Sequence, residues 1–241
     1  MCGLGFAQNS ALFKEGNALY NTGKYTEAIS KYETILKSEK HSAELYFNLA
    51  NANYKLNNIA PSIYYYEKAL QLAPNDIEIN NNAAFARNMT IDAIDTIPKV
   101  GVSKWLNISA NKFSFDGWSY AAIAGVVLFV VLFLCYYFSH STALKRVLFI
   151  ASAVLLILSV VTLCFAFHKY NLDKNDVPAI VFAQESTVKN EPNLRGTEVF
   201  KLHEGTKVQV LNAVNDWMEI KLTDGTTGWI RNKDIKLLND F

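Results

Sequence analysis

Two long uncharged runs in the middle of the chain constrain its fold more than any other feature. No charged residue lies between Asp116 and Lys145, and none lies in 147–167. An α-helix rises about 1.5 Å per residue, so each run supplies the ~20 apolar residues that a helix needs to cross a bilayer. The sequence therefore predicts transmembrane helices at 119–138 and 147–167, joined by a cytoplasmic turn at 139–146.

The alternative is a buried helical hairpin inside a soluble domain. A core helix is usually shorter and keeps a polar stripe, whereas these runs are apolar on every face. Aromatic residues of the kind that favour the headgroup layer stand near the ends of the runs: Trp118, Tyr120, Tyr136, Tyr137 and Tyr170. Because the turn is short, the helices must be antiparallel neighbours, and both flanks must lie on one side of the membrane.

The N-terminal flank contains two copies of one residue pattern, and all matching residues are the same distance apart in the sequence. Residues of matching class at this spacing are Leu12 and Tyr46, Gly16 and Ala50, Asn17 and Asn51, Ala18 and Ala52, Tyr20 and Tyr54, Ile29 and Ile63, Tyr32 and Tyr66, Glu33 and Glu67, and Leu36 and Leu70. This pattern resembles the tetratricopeptide repeat, a helix–turn–helix unit with a period of about 34 residues. The resemblance predicts repeats over 9–42 and 43–76 and a capping helix over 77–97, which begins after Asn75-Asp76 and ends at Pro98.

In tetratricopeptide arrays the first helix of each unit lines a concave groove. The resemblance assigns to a partner-binding groove the residues Phe13, Asn17, Tyr20, Phe47, Asn48, Asn51, Tyr54 and Phe85, with Glu78 and Asn81 beside them. Asparagines here hold a peptide backbone or a terminal carboxylate in some family members, but Phe13 stands where the lysine of a carboxylate clamp would be. We therefore expect an extended segment or a helix to be recognised by aromatics and amides. The alternative is that these side chains only pack or solvate the groove.

The connector at 98–118 is too hydrophobic for a free linker. Trp105, Leu106, Ile108 and Phe113 fall within it, a composition that suits an element lying in the membrane interface before the first span. A loop packed on the repeat domain is the alternative interpretation.

The C-terminal flank contains about five short β-rich runs separated by turn residues, which predicts a small all-β barrel. Three stretches resemble bacterial SH3 domains: Lys201–Thr206, Asp216-Trp217, and Gly228-Trp229-Ile230. The resemblance covers about 177–238 and predicts a bacterial SH3-like domain over 177–241. It implies a ligand face that includes Trp217 and Trp229, although structural packing of both indoles is the alternative. Bacterial members bind cell-wall peptides or mediate protein contacts.

Composition and motifs argue against several other functions. The net charge is +1 and no basic run stands out, so we expect no nucleic-acid partner. The cysteines and histidines are scattered and form no disulfide framework, metal-ligand spacing or catalytic motif: Cys2, Cys135, Cys164, His41, His140, His168 and His203. Asp92 and Asp95 lie three apart on the predicted capping helix, where such a pair usually forms a solvated face. The sequence predicts no enzyme, no metal and no cofactor.

The first eight residues and the lysine distribution bear on the side of the membrane. Gly5-Phe6-Ala7 is a small-x-small pattern that resembles the tail of a signal peptide cleaved after Ala7, which predicts that residues 1–8 are a signal remnant. An ordinary frayed terminus is the alternative. Lys145 and Arg146 favour a cytoplasmic turn, although the larger number of lysines in the flanks favours cytoplasmic flanks instead. Together with the SH3-like domain, these features predict a multi-pass inner-membrane protein of bacteria with both soluble domains periplasmic.

The order of tetratricopeptide repeats, two-span hairpin and bacterial SH3 domain resembles the BatE family of aerotolerance-related membrane proteins. This resemblance implies a non-catalytic scaffold that works with other Bat-type membrane proteins, some with von Willebrand A-type domains, and with a MoxR-type ATPase. The expected fold is a multidomain membrane protein with all-α repeats, a two-helix hairpin and an SH3-like barrel. Two functions stay open: a scaffold that docks protein partners, and a sensor that binds murein peptides of the cell wall. An enzyme of unrecognised type is a remote alternative.

Overall fold

The computed structural model describes residues 3–94 and 101–239, apart from the side chains of 3–7, 102, 103 and 175. The chain forms two compact units. One unit combines both ends of the chain, Met1–Ile97 and Val177–Phe241, and the other is Pro98–Asp176. The side chains that carry the signal-like pattern, and Pro98, lie outside the described residues.

The N-terminal part of the first unit is a succession of short helices in which each repeat contributes a pair. The helices are α1 (Gly3–Asn21), α2 (Tyr25–Leu36), α3 (Ala43–Lys55), α4 (Ile59–Leu72) and α5 (Ile77–Arg87). Local chemistry fixes two of their starts: the Ser42 side chain accepts from the Leu45 amide at 3.1 Å, and the Asp76 side chain accepts from the Ile79 amide at 3.1 Å. Gly16 lets α2 approach α1, because a Cβ at this position would collide with the Tyr32 ring.

The helix predicted over 77–97 ends at Arg87 in the structure. Asn88 and Thr90 favour helix ends over helix interiors, because their side chains compete for backbone groups. The Thr90 hydroxyl donates to the Arg87 carbonyl at 2.8 Å and so satisfies one of the last carbonyls of the helix. The chain then continues without helix through Ile94, and Asp92 lies on this segment rather than on a helix.

The C-terminal part of the first unit is an antiparallel sheet of seven strands in the order β3-β2-β6-β5-β4-β1-β7. The strands are β1 (Pro178–Val181), β2 (Glu185–Lys189), β3 (Glu198–His203), β4 (Lys207–Val214), β5 (Trp217–Lys221), β6 (Thr227–Arg231) and β7 (Ile235–Leu237). The sequence pattern missed β2 and β7. β2 is mostly polar and β7 has three residues, so neither carries a clear alternation.

The repeats and the sheet share a hydrophobic core. Ile180 and Leu238 of the sheet domain are buried in the same cluster as Ile63 and Tyr64 of α4. The rings of Tyr64 and Phe182 meet edge to face at 5.7 Å between centroids. Because the two flanks pack into one body, they lie on the same side of any membrane that the middle of the chain crosses.

The second unit contains α6 (Val102–Ala110), α7 (Phe115–Phe138) and α8 (Thr142–Asn175). Both α7 and α8 are long and apolar enough to cross a membrane. They pack through small residues, since Ala122, Ser152, Ser159 and Ala166 are buried and Gly125 faces Ser159. The link between them, predicted over 139–146, is shorter than expected because α8 already begins at Thr142.

Candidate partner-binding groove and domain interface

An asparagine–tyrosine ladder connects the helices of the repeats. The Tyr32 hydroxyl of α2 donates to Asn17 Oδ1 of α1 at 2.7 Å, and Asn48 Nδ2 of α3 donates to the same oxygen at 3.0 Å. Burial raises the pKa of Tyr32 to about 12, with smaller contributions from Tyr20 and Glu44, so the phenol stays a donor. One amide oxygen therefore joins three helices.

The second rung repeats the first in the register of the repeats. The Tyr66 hydroxyl donates to Asn51 Oδ1, and Asn82 Nδ2 donates to the same oxygen at 3.4 Å. Among the described residues, the Nδ2 groups of Asn17 and Asn51 donate to no protein acceptor. The ladder therefore has a structural role, and it leaves two amide donors to offer to a bound backbone carbonyl.

A pocket of about 340 Å³ lies beside the second rung. Its walls combine aromatic rings, amides and one charge of each sign, from Tyr20, Asn51, Tyr54, Lys55, Tyr66, Glu78, Asn82 and Phe85. Phe85 is 61% exposed, so its ring is available for contact with a ligand. This combination suits an extended peptide with both apolar and polar side chains.

The structure separates the predicted groove residues into three groups. Tyr20, Asn51, Tyr54 and Phe85 come together in the pocket. Asn17 and Asn48 form the first rung of the ladder. Phe13 and Phe47 pack against Tyr32 and Tyr66, with ring centroids 5.9 and 6.0 Å apart. Neither phenylalanine lines this pocket, whereas Phe13 lines a smaller one of about 150 Å³ elsewhere on the array.

Sequence reasoning missed three residues of the pocket, Lys55, Tyr66 and Asn82. Asn82 follows Asn48 by one repeat period, and this spacing could have assigned Asn82 to the groove. Tyr66 was recognised only as a repeat match, because nothing in its sequence context shows that its hydroxyl reaches the groove asparagine. Lys55 supplies the groove with a cation that the sequence pattern did not assign.

The predicted SH3-like ligand face lies on the outer side of β5 and β6. Trp217 pairs with Arg231 and Glu219 pairs with Trp229, so these side chains share the face opposite to the buried Ile220 and Ile230. Trp217 is 7% exposed, and the Arg231 guanidinium covers its ring at 4.9 Å from the centroid. Trp229 is half-buried. Trp217 is mainly a packing residue, and Trp229 remains accessible from this face.

Glu67 of α4 is the centre of the interface between the repeats and the sheet. Its side chain is 7% exposed. Arg87 of α5 donates to Oε1 at 2.7 and 3.1 Å, and Lys207 of β4 donates to Oε2 at 2.7 Å. Burial by itself raises the pKa of this carboxyl, but the two cations and their hydrogen bonds outweigh it, and the pKa of Glu67 is lowered. One buried carboxylate thus joins two repeat helices and the sheet.

Asp92 makes a second polar connection across the interface. Its Oδ2 accepts from the His203 amide at 2.7 Å and from the Thr206 hydroxyl at 2.6 Å, and its Oδ1 lies 2.7 Å from His203 Nδ1. Burial raises the pKa of Asp92, but these hydrogen bonds outweigh it and lower the pKa. Asp92 was expected on a solvated helix face, but its carboxylate instead accepts hydrogen bonds from the β3–β4 loop.

The interface left a signal in the sequence at one face of the repeats. The α2 positions that face solvent are occupied by Ser30 and Thr34, which are exposed. The equivalent positions of the second repeat are Tyr64 and Lys68, at 4% and 1% exposure. The face of α2 that is polar and exposed thus corresponds to a face of α4 that is buried. Comparing the two repeats position by position indicates that α4 has a neighbour that α2 lacks.

The described residues contain no group of three histidine, cysteine or acidic side chains that could hold a metal ion. The candidate sites are the groove and the face of the SH3-like sheet that carries Trp229, and both offer recognition through hydrogen bonds, aromatic contacts and charge.

Comparison with known proteins identifies the two flanking regions. Residues 13–77 match the tetratricopeptide repeat, and residues 186–236 match the bacterial SH3 domain. No curated protein matches the chain. A solved structure of an NlpC/P60 family protein from Bacillus cereus ATCC 10987 is 14% identical, and the match covers 29% of this chain and 23% of that protein, with a TM-score of 0.23. The chain thus contains tetratricopeptide repeats and a bacterial SH3 domain, two kinds of module that bind proteins or peptides.

Proposed function

We propose that the protein is a non-catalytic membrane scaffold that docks a protein partner in the groove of its repeats. The observation that carries the proposal is the pocket beside the second rung of the ladder. It presents the exposed ring of Phe85, the side chains of Tyr20 and Tyr54, and the Asn51 amide to one occupant. Lys55 and Glu78 carry opposite charges, so they favour one orientation of the bound segment over the reverse orientation.

Membrane anchoring by α7 and α8 is part of the proposal. The most apolar windows of these helices are only 6% and 11% buried, so nearly all of their apolar surface faces outward. A soluble protein rarely exposes apolar patches of this size. The small residues between the helices provide the close contact that is typical of membrane-spanning pairs.

The groove is tested by co-purification of partners from native membranes after mild cross-linking. Tyr54→Ala combined with Phe85→Ala removes two walls of the pocket and leaves the ladder intact. Asn51 is a poorer target, because its loss leaves the buried Tyr66 hydroxyl without an acceptor. We expect the double variant to lose the proteins that the wild type retains.

A matched control for this experiment lies on the outer face of α2. Ser30→Ala with Thr34→Ala changes two exposed side chains of the same array, and it should retain every partner. Thermal unfolding of each variant distinguishes loss of binding from loss of fold. Equal recovery of partners with the pocket variant and the control variant would refute the groove as the docking site.

A murein peptide of the cell wall is the second candidate ligand, and it is favoured by the accessible Trp229 on the outer face of the SH3 domain. Trp229 shares this face with Glu219 and Arg231, which suit a peptide with both carboxylate and amino groups. Binding of the full chain to purified sacculi, compared with Trp229→Ala, tests it. The full chain is needed because Ile180 and Leu238 are buried in the core shared with the repeats. Wild-type protein that stays in the supernatant would eliminate this candidate.

The finer proposal concerns the assembly and its location. The resemblance to the BatE family supports partners among Bat-type membrane proteins with von Willebrand A-type domains, in the inner membrane and with both soluble regions in the periplasm. Protease added to spheroplasts should cut exposed loops of the periplasmic regions, such as the one at Asn215-Asp216, without membrane disruption. Cleavage that requires disrupted membranes would place the regions in the cytoplasm.

A further inference from the structure

Helix α6 is held against the end of the apolar hairpin by side-chain hydrogen bonds. Asn107 Oδ1 lies 2.9 Å from His168 Nε2, and Lys169 Nζ donates to Asn111 Oδ1 at 3.0 Å. The Trp118 indole of α7 donates to the Ala110 carbonyl at 2.9 Å. α6 is thus attached to both long helices and has a fixed position relative to them.

These contacts determine how deep α6 lies. In α8 the uncharged run ends at Phe167, and His168 and Lys169 are the first polar residues after it. Because Asn107 and Asn111 contact these two residues, α6 is level with the point where the hydrocarbon-compatible part of the hairpin ends. That level corresponds to the headgroup layer of a bilayer that the hairpin crosses.

The outward face of α6 has the composition that this layer favours. Trp105 and Ile108 are 64% and 54% exposed, and Phe113 just after the helix is 57% exposed. Lys104 and Lys112 are exposed beside them. The opposite face is the packed one, since Ala110 is fully buried. Apolar rings flanked by lysines on one face are typical of helices that lie in a membrane surface.

We propose that α6 is a membrane-surface helix that rests on the headgroup layer of the bilayer crossed by α7 and α8. Trp105, Ile108 and Phe113 enter the boundary between headgroups and acyl chains, and Lys104 and Lys112 pair with lipid phosphates. The occupant of this face is lipid, because the face is continuous with the exposed apolar surface of the hairpin and its charges are positive. The inference rests on the proposed membrane insertion of the hairpin.

Spin-label depth measurements on the full chain in phospholipid vesicles test this inference. In a background with Cys2, Cys135 and Cys164 changed to serine, a nitroxide is attached to Ile108→Cys. The same label at Val127→Cys on α7 reports the bilayer interior, and at Lys37→Cys at the end of α2 it reports water. Collisions with oxygen and with a water-soluble nickel complex give the depth of each label.

We expect the Ile108 label to lie about 5–10 Å below the phosphates, shallower than the Val127 label and with several-fold fewer nickel collisions than the Lys37 label. A water-exposed Ile108 label with a deep Val127 label would overturn the α6 proposal alone. A water-exposed Val127 label would refute membrane insertion and α6 together. An Ile108 label as deep as Val127 would also overturn the headgroup placement. Trp105→Cys, at an exposed position on the same face, provides a second label site if Ile108→Cys misfolds.

Discussion

Replacing Glu67 by alanine should loosen the contact between the repeats and the SH3 domain. The change removes a carboxylate that is 7% exposed and accepts from Arg87 and Lys207, at 2.7 Å in each ion pair. It leaves two cations near each other without their shared counter-charge. Glu33 supplies a matched control, because it occupies the equivalent position of the first repeat and is exposed.

The expected magnitude follows from how each partner is solvated. Exposed ion pairs contribute about 0.2–1 kcal/mol, whereas breaking a fully buried pair costs about 3–5 kcal/mol. Glu67 is buried, but the side chains of Arg87 and Lys207 are 46% and 49% exposed, so water can solvate them after the change. We therefore expect Glu67→Ala to lower the free energy of unfolding by about 2 kcal/mol, between these limits. For a unit of this size that corresponds to about 4–8 °C in Tm.

Urea unfolding of the full chain in detergent micelles, followed by tryptophan fluorescence, measures this change. Trp105 and Trp118 are replaced by phenylalanine in every variant, so that Trp217 and Trp229 report the SH3 domain and a change made in the repeats is detected across the interface. Glu33→Ala should lie within about 0.5 kcal/mol of wild type. A double-mutant cycle of Glu67→Ala with Lys207→Ala isolates the pair. Equal stability of the Glu67 and Glu33 variants, or a coupling energy below about 0.3 kcal/mol, would refute the interface.

Two further predictions concern acid and backbone conformation. The lowered pKa values of Glu67 and Asp92 mean that their contribution to stability is full above their ordinary values of 4.5 and 3.8 and is lost as the pH falls through the folded-state values. Stability of the wild type should therefore fall more steeply below pH 4.5 than that of Glu67→Gln with Asp92→Asn, and parallel acid titrations would contradict this. Gly205 has φ +87°, and a Cβ there would come within 3 Å of Ile59, Ile63 and Thr90, whereas Gly23 has φ +79° and open space. Gly23→Ala should cost about 1 kcal/mol from strain, and Gly205→Ala about 1–3 kcal/mol more; equal midpoints in urea would show that the β3–β4 loop does not pack on the repeats.

The repeats and the SH3 domain could be predicted because their patterns are local and periodic. Matches one repeat period apart identify pairs such as Asn17 and Asn51 without knowledge of the fold, and tight turns separate most strands. The ladder could not be predicted from this pattern alone, because the role of each asparagine depends on which tyrosine hydroxyl reaches it in the folded structure. Phe13 and Phe47 show the same limit: periodicity places a residue on a helix but does not decide whether it lines a groove or packs behind it.

The domain interface could not be predicted, because its partners are far apart in the sequence. Glu67 resembles an ordinary surface acid in a repeat until Lys207 is placed against it. Asp92 was assigned to a helix, since helix propensity contains no information about the loop at His203–Thr206 that receives its carboxylate. The contrast between Ser30 and Tyr64 at equivalent repeat positions was the sequence signal that another part of the chain packs on α4.

The shared core also sets an order of events during synthesis. Glu67 precedes Lys207 by 140 residues, and both long apolar helices lie between them. At roughly 5–20 residues per second, a ribosome needs on the order of ten seconds to supply the second partner after the first. During that interval the repeats carry Tyr64 and Lys68 on an uncovered surface. Maturation of the repeats must therefore wait until the C-terminal domain has been synthesised, so a chain that stops before Lys207 leaves the side chains of Tyr64 and Lys68 exposed on α4.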